Sequence, residues 1–172
     1  MSSNQLVSLS NNELLMVMLE LNKISESHTS QSNLNENIID HVLSIPGKQL
    51  RPALTIVCSK LWQEEVDEKV IKMSTAVELL HIATLVHDDM IDQAILRRNS
   101  KTIHSFAGDH TAVLLGDALF SYALELATDF PTNRICRIVS KATRLTCSGE
   151  IRQTSARGDA SLSLDDYYSF IQ

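Results

Sequence analysis

TAVELLHIATLVHDDMIDQAILRR, residues 75–98, begins as an apolar run and ends in a burst of opposed charge. Almost every position from 73 to 86 is apolar or small, the pattern of a helix covered on all sides rather than one with a single wet face. Such a helix belongs at the centre of a fold. Its C-terminal end delivers Asp88, Asp89 and Asp92. At about 100° per residue, Asp88 and Asp92 fall one turn apart on the same face, with His81 two turns below on nearly the same line. Carboxylates at that spacing repel, and a helix C-terminus is the wrong pole of the dipole for them. The placement costs stability unless cations sit there.

Mg²⁺ is the natural cation, because it takes oxygen ligands, keeps several waters and is usually held by one or two carboxylates plus substrate phosphates. Arg97 and Arg98 follow closely, and guanidinium forks match phosphate oxygens. Acids for a metal beside arginines for phosphate describe a diphosphate site. The plainer alternative is a solvated acidic helix end with a compensating basic loop.

Composition sets the frame around this stretch. A chain of 172 residues with 44 % hydrophobic and 21 % charged residues is expected to form a single cored domain over residues 1–172. Only five Gly and three Pro, among runs rich in Leu, Ala, Glu, Lys and Ile, favour an all-α fold. The net charge of −6 argues against a nucleic-acid surface. Cys58, Cys136 and Cys147 are odd in number and in no CxxC pairing, so neither a disulfide framework nor a zinc site is expected, and reduced thiols fit a cytoplasmic location. The N-terminus lacks the features of a signal peptide, and no long uncharged apolar run predicts stable membrane insertion.

Helices are expected over residues 12–22, 37–44 and 53–63, from Asp67 through the acids, over 111–129 and 132–153, and from Ser163 onward. Residues 23–37 and 93–108 read as loops. PGKQLRP, residues 46–52, is a turn feeding a helix N-terminus, and places Lys48 and Arg51 as an anion site or as two solvated cations. Arg134, Arg137, Lys141 and Arg144 form a stripe at helical spacing that reads as a solvated face. Asp165 and Asp166 fall in the first turn of the last helix, where the dipole favours them, and lack the one-turn spacing of a metal clamp.

HDDMID followed by RR resembles the first aspartate-rich motif, DDxxD with paired arginines, of the trans-isoprenyl diphosphate synthases, the polyprenyl synthetase family. Further segments are similar to that family in the same order: GKQLRP to its GGKxxRP, ELLH to its histidine-bearing segment, RRNSKTIH to RRGxPTxH, GDALF to GDxLL, and GEIRQ to a glutamine-bearing segment. The chain departs from the pattern at Pro46 for the first motif glycine, and at Asn99 and Lys101 for Gly and Pro. Asn tolerates a left-handed backbone nearly as well as Gly, so the turn at Asn99 is expected to survive. Gly116 is expected to permit close approach of another helix, and Asp117 to serve as a positional hydrogen-bond partner.

The resemblance implies an isoprenoid-synthase-type helical bundle and head-to-tail prenyl transfer. Asp88, Asp89, Asp92 and Arg97 would be catalytic, with Asp88 and Asp92 as Mg²⁺ ligands. Lys48, Arg51, His81, Arg97, Arg98 and Gln153 would hold the diphosphates of isopentenyl diphosphate and an allylic prenyl diphosphate. It also implies a homodimer. Roughly as many residues again, with a second aspartate-rich motif, follow in the family, so the chain is expected to be an N-terminal half. Small Ala83 and Thr84, five and four residues before Asp88, imply an open tunnel and a longer product. The alternative is a non-catalytic prenyl-diphosphate-binding or regulatory subunit. Terpene cyclisation fits less well, because a cyclase has no use for a second diphosphate pocket.

Overall fold

The long helix starts where the sequence changes from loop to apolar run. Asp67 caps it, its carboxylate accepting a hydrogen bond from the Val70 N–H at 3.0 Å, a cap that contributes about 1 kcal/mol. In a computed structural model describing residues 3–29, 36–45, 47–63 and 65–171, this helix is α5, Glu68–Ile91. Before it come α1 (Ser3–Ser8), α2 (Asn11–Thr29), α3 (Glu36–Ser44) and α4 (Leu50–Ser59). After it come β1 (Leu96–Arg97), β2 (Ser100–Lys101), α6 (Ile103–Ala107), α7 (Asp109–Thr128), α8 (Arg134–Ser155) and α9 (Leu164–Ile171). The fold is all-α apart from the two-residue strands, which pair antiparallel.

The chain divides into two compact units, residues 1–129 and 130–172. In the first, α5 packs against α7, α4, α2 and α6, and no side chain from position 70 to 90 is fully exposed. Ile71, Ala76, Leu79 and Val86 of α5 share one apolar cluster with Leu115 and Leu119 of α7, Ile56 of α4 and Val17 of α2. Burying each large aliphatic side chain contributes about 1.5–3 kcal/mol. Two buried hydroxyls inside this cluster are satisfied by their own helix, Ser74 donating to the Val70 carbonyl at 2.8 Å and Thr75 to that of Ile71 at 2.9 Å. α5 and α7 run antiparallel. Lys72, near the start of α5, reaches Asp129 at the end of α7 at 2.9 Å, whereas His87, near the end of α5, meets Val113 in the first turns of α7.

Three expectations change. The segment 23–37 is not loop throughout, because α2 continues to Thr29. Buried Ser25 donates to the Asp40 carboxylate of α3, a tie that apolar periodicity does not register. The segment 93–108 holds the β1–β2 hairpin and α6 rather than plain loop. Ala83 lies inside the core at 2 % exposure, so of the two tunnel candidates only Thr84 keeps a partly open face. Pro46 and residues 30–35 lie outside the described residues.

In the second unit, α9 packs on α8, with the Phe170 carbonyl so near Gly149 that an added Cβ would lie 2.7 Å from its oxygen. Ser163 caps α9 by accepting from the Asp166 N–H at 3.1 Å, and its own N–H donates to the Asp166 carboxylate at 3.3 Å. Arg134, Arg137, Lys141 and Arg144 are all exposed, as a solvated stripe requires.

Candidate active site

The acidic tip of α5 sorts its three aspartates into two kinds. The Asp92 N–H donates to the Asp88 carbonyl at 2.8 Å, which sets these two residues on successive turns. Asp89 faces inward at 6 % exposure, and its two oxygens accept from Nε and Nη2 of Arg97, both at 2.7 Å. This fork-to-fork pair holds the Arg97 guanidinium above its ordinary pKa, first through the Asp89 hydrogen bonds and further through the fields of Asp88 and Asp92. Arg97 is thereby fixed beside the outer two acids.

Asp88 and Asp92 offer hard oxygen donors on adjacent turns, Asp88 half-buried and Asp92 exposed. Among the described residues no group of three or more His, Cys, Asp or Glu side chains converges on a metal position. Two carboxylates without a full protein cage are the donor set expected where Mg²⁺ is completed by water and substrate phosphate. The residues present fit that ion.

The second part of the site is built by a tight hairpin. Arg97 pairs with Ser100, leaving Arg98 and Asn99 as a two-residue turn with φ of 50° and 67°. Two successive left-handed residues define a type I′ turn, so Asn99 does what a glycine would do there, while Arg98 is held in a conformation uncommon for its type. The turn lays the Arg98 guanidinium on the Gly47 backbone, where a Cβ at Gly47 would lie 2.9 Å from Nη1. Gln49, which leads into α4, is also left-handed at φ 47°.

These turns close a cleft of about 470 Å³ lined by Lys48, Arg51, Glu78, His81 and Arg98. An adjoining cavity of about 70 Å³ shares Glu78, His81 and Arg98 and is walled by Leu43, Ile82, Leu85 and Ile103. Burial, then the fields of Arg51, Arg98 and Arg97, push the His81 pKa down to about 4. At neutral pH its imidazole is therefore an uncharged hydrogen-bonding group. Glu78, one turn before His81, is buried at 8 % exposure; burial pushes its carboxyl up, and Arg51 and Arg98 pull it back.

Supporting bonds hold the hairpin. Thr102 Oγ1 and His104 Nε2 both donate to the Ala94 carbonyl, at 2.6 and 2.8 Å. His41 of α3 donates to the Lys101 carbonyl at 2.8 Å and stacks on Phe106. Behind the acids, His87 Nε2 donates to the Val113 carbonyl at 3.2 Å and lies 3.7 Å from the Asp117 carboxylate. A Cβ on Gly116 would meet that nitrogen at 2.1 Å, so the ring's seat exists only because position 116 has no side chain. Gly116 thus gives the close helix approach expected of it, whereas Asp117 is exposed and its carboxylate lies beyond hydrogen-bond distance of His87, so the hydrogen-bonding part expected of it is not seen.

A family model described as polyprenyl synthetase matches residues 32–172. The chain belongs to the polyprenyl synthetase family. It is 31 % identical over 156 residues to solanesyl-diphosphate synthase 2, chloroplastic, of Oryza sativa subsp. japonica, covering 87 % of this chain and 39 % of the rice protein. The heptaprenyl diphosphate synthase of Staphylococcus aureus superposes with a TM-score of 0.84 at 32 % identity, over 94 % of this chain and 50 % of that one. A polyprenyl synthase from Caulobacter crescentus CB15, complexed with calcium and isoprenyl diphosphate, superposes with a TM-score of 0.84 at 31 % identity, over 99 % of this chain and 51 % of that one. The chain spans about two fifths of the rice protein's length and half of the two solved chains. Its all-α architecture is the helical bundle of these synthases.

The structure brings most of the residues named from the sequence into two neighbouring groups. Lys48, Arg51, His81 and Arg98 come together from three separate segments, and Asp88, Asp89, Asp92 and Arg97 share the end of α5. Gln153 belongs to the second unit, on α8, where it lines a groove with Arg157, Tyr167 and Phe170. Sequence reasoning passed over Glu78, although an acid inside the apolar run 73–86 was the signal available. It also passed over His41, for which no periodic signal exists.

Proposed function

We propose that this chain carries the first half of a Mg²⁺-dependent prenyltransferase site that condenses isopentenyl diphosphate with an allylic prenyl diphosphate. The observation that carries the reading is the gathering of Lys48, Arg51, His81 and Arg98 in one cleft beside the tip of α5 that bears Asp88 and Asp92. The complex of the Caulobacter protein with calcium and isoprenyl diphosphate supports a divalent cation and the ligand class.

Lys48, Arg51 and Arg98 hold the diphosphate of isopentenyl diphosphate, and neutral His81 orients it by hydrogen bonding. Arg97, tied to Asp89 through Nε and Nη2, directs its remaining Nη1 edge at the allylic diphosphate. Asp88 and Asp92 would hold Mg²⁺, which would supply charge stabilisation for the departing diphosphate. The C–O bond of the allylic ester breaks, the isopentenyl double bond attacks the resulting allylic cation, and a proton passes to the released diphosphate. The apolar side chains of α5 keep water from the cation. The long-chain products named for the rice and Staphylococcus proteins, with the partly open Thr84, support a polyprenyl product. The same reading takes residues 1–172 as part of one domain of a cytoplasmic homodimer.

The test is the double substitution Asp88→Ala, Asp92→Ala in the protein as its gene encodes it, assayed with labelled isopentenyl diphosphate, an allylic primer and Mg²⁺. Transfer should fall by at least about a thousandfold, the scale of losing a transition-state electrostatic group. Transfer within tenfold of the parent refutes the metal role. Binding of both substrates without transfer in the parent chain marks the alternative, a non-catalytic binding subunit.

A further inference from the structure

The cleft that gathers three cations also contains an acid. Glu78 is more than nine-tenths buried, forms part of the wall common to both cavities, and faces Arg51 and Arg98. Arg51 and Arg98 act on its carboxyl through their fields, against the burial that pushes it up. A site built only to hold an anion gains nothing from a buried negative charge, because like charges in a low-dielectric pocket repel strongly.

We propose that Glu78 is the counter-charge of the diphosphate cleft, a positioning residue that limits how tightly the three cations hold a diphosphate. This rests on reading the cleft as a diphosphate site. In the ligand-free protein Glu78 offsets part of the repulsion among Arg51, Arg98 and Lys48, so the cations stay in place before substrate arrives. With a diphosphate bound, its repulsion sets an upper limit on affinity. That limit matters for chain extension. The new carbon–carbon bond forms at the alkene end of isopentenyl diphosphate, so its diphosphate remains on the lengthened product. The product must leave this cleft before it can serve as the allylic partner of the next addition. A cleft without Glu78 would retain it.

The experiment titrates inorganic diphosphate into the protein as its gene encodes it by calorimetry in EDTA, so that the carboxylate end cannot contribute through a metal. Glu78→Gln keeps the shape and removes the charge, and should bind diphosphate about tenfold tighter, equivalent to about 1.4 kcal/mol. Glu78→Asp, which keeps the charge, should stay near the parent, and circular dichroism checks that each variant is folded. A purely structural role in holding the arginines predicts the opposite sign, weaker binding by Glu78→Gln. Unchanged or weaker binding in that variant, or equal tightening in Glu78→Asp, overturns the proposal. Arg51→Ala tests the underlying reading separately: it should weaken binding at least tenfold. If it does not, the cleft is not a diphosphate site and the role of Glu78 falls with it.

Discussion

Removing either member of the Asp89–Arg97 pair should have unequal consequences, and the inequality can be worked from their burial. The Asp89 side chain is 8 % exposed and that of Arg97 is 30 % exposed. Arg97→Ala strands a buried carboxylate, a loss of the order of 3 kcal/mol even at the low end for broken buried pairs. Asp89→Asn leaves a guanidinium that can turn to water and still meets one amide oxygen, so the loss is about 1 kcal/mol. The gap of about 2 kcal/mol corresponds to roughly 6 °C in the melting temperature of a unit this size. Thermal unfolding followed by circular dichroism at neutral pH measures it. The double variant Asp89→Ala, Arg97→Ala should be more stable than Arg97→Ala alone, because no charge is left stranded. Asp89→Asn melting as low as Arg97→Ala, or a double variant melting lower than both, would refute the claim that the stranded carboxylate dominates.

His81 should titrate near pH 4 rather than near its ordinary 6.5, as read from its ring protons by NMR. A folded pKa below the unfolded one means that the unfolded chain takes up a proton the folded chain refuses, so stability is flat above about pH 6.5 and falls as the pH drops toward 4. His81→Gln should remove that slope, and a midpoint near 6.5 in the parent would count against the burial and arginine field invoked here. Gly116→Ala should displace the His87 ring, break its 3.2 Å bond to Val113, and cost about 1–3 kcal/mol by overpacking. Because Asp88 follows His87 directly, that variant should also need more Mg²⁺ for half-maximal prenyl transfer; an unchanged Mg²⁺ requirement would disconnect the two motifs.

What was legible in the sequence was periodic or paired. The apolar run of α5, its Asp67 cap and the one-turn spacing of Asp88 and Asp92 follow from helix geometry, and each has its place in the fold. The cluster of Lys48, Arg51, His81 and Arg98 was reached by motif, since nothing in spacing alone brings a turn before α4 to a hairpin after α5. The β1–β2 hairpin escaped because two residues per strand are too few to show alternation, and its turn residues, Arg98 and Asn99, are not the Asn-Gly pair that announces a type I′ turn. The inward turn of Asp89 was hidden because three acids in five positions look alike until one finds a guanidinium. The polar end of α2 was hidden because Ser25 packs through a hydroxyl rather than a methyl group.

The hairpin puts neighbouring arginines to work in opposite directions. Arg97 turns toward the carboxylates and Arg98 toward Gly47 and the cation cleft, with a single peptide link between them. Consecutive Cα atoms are about 3.8 Å apart whatever the surroundings do. The two side chains therefore begin one covalent step apart, and any shift of the hairpin backbone moves the roots of both together. Lengthening the ribbon by one residue would uncouple them while leaving every side chain of the site in the protein.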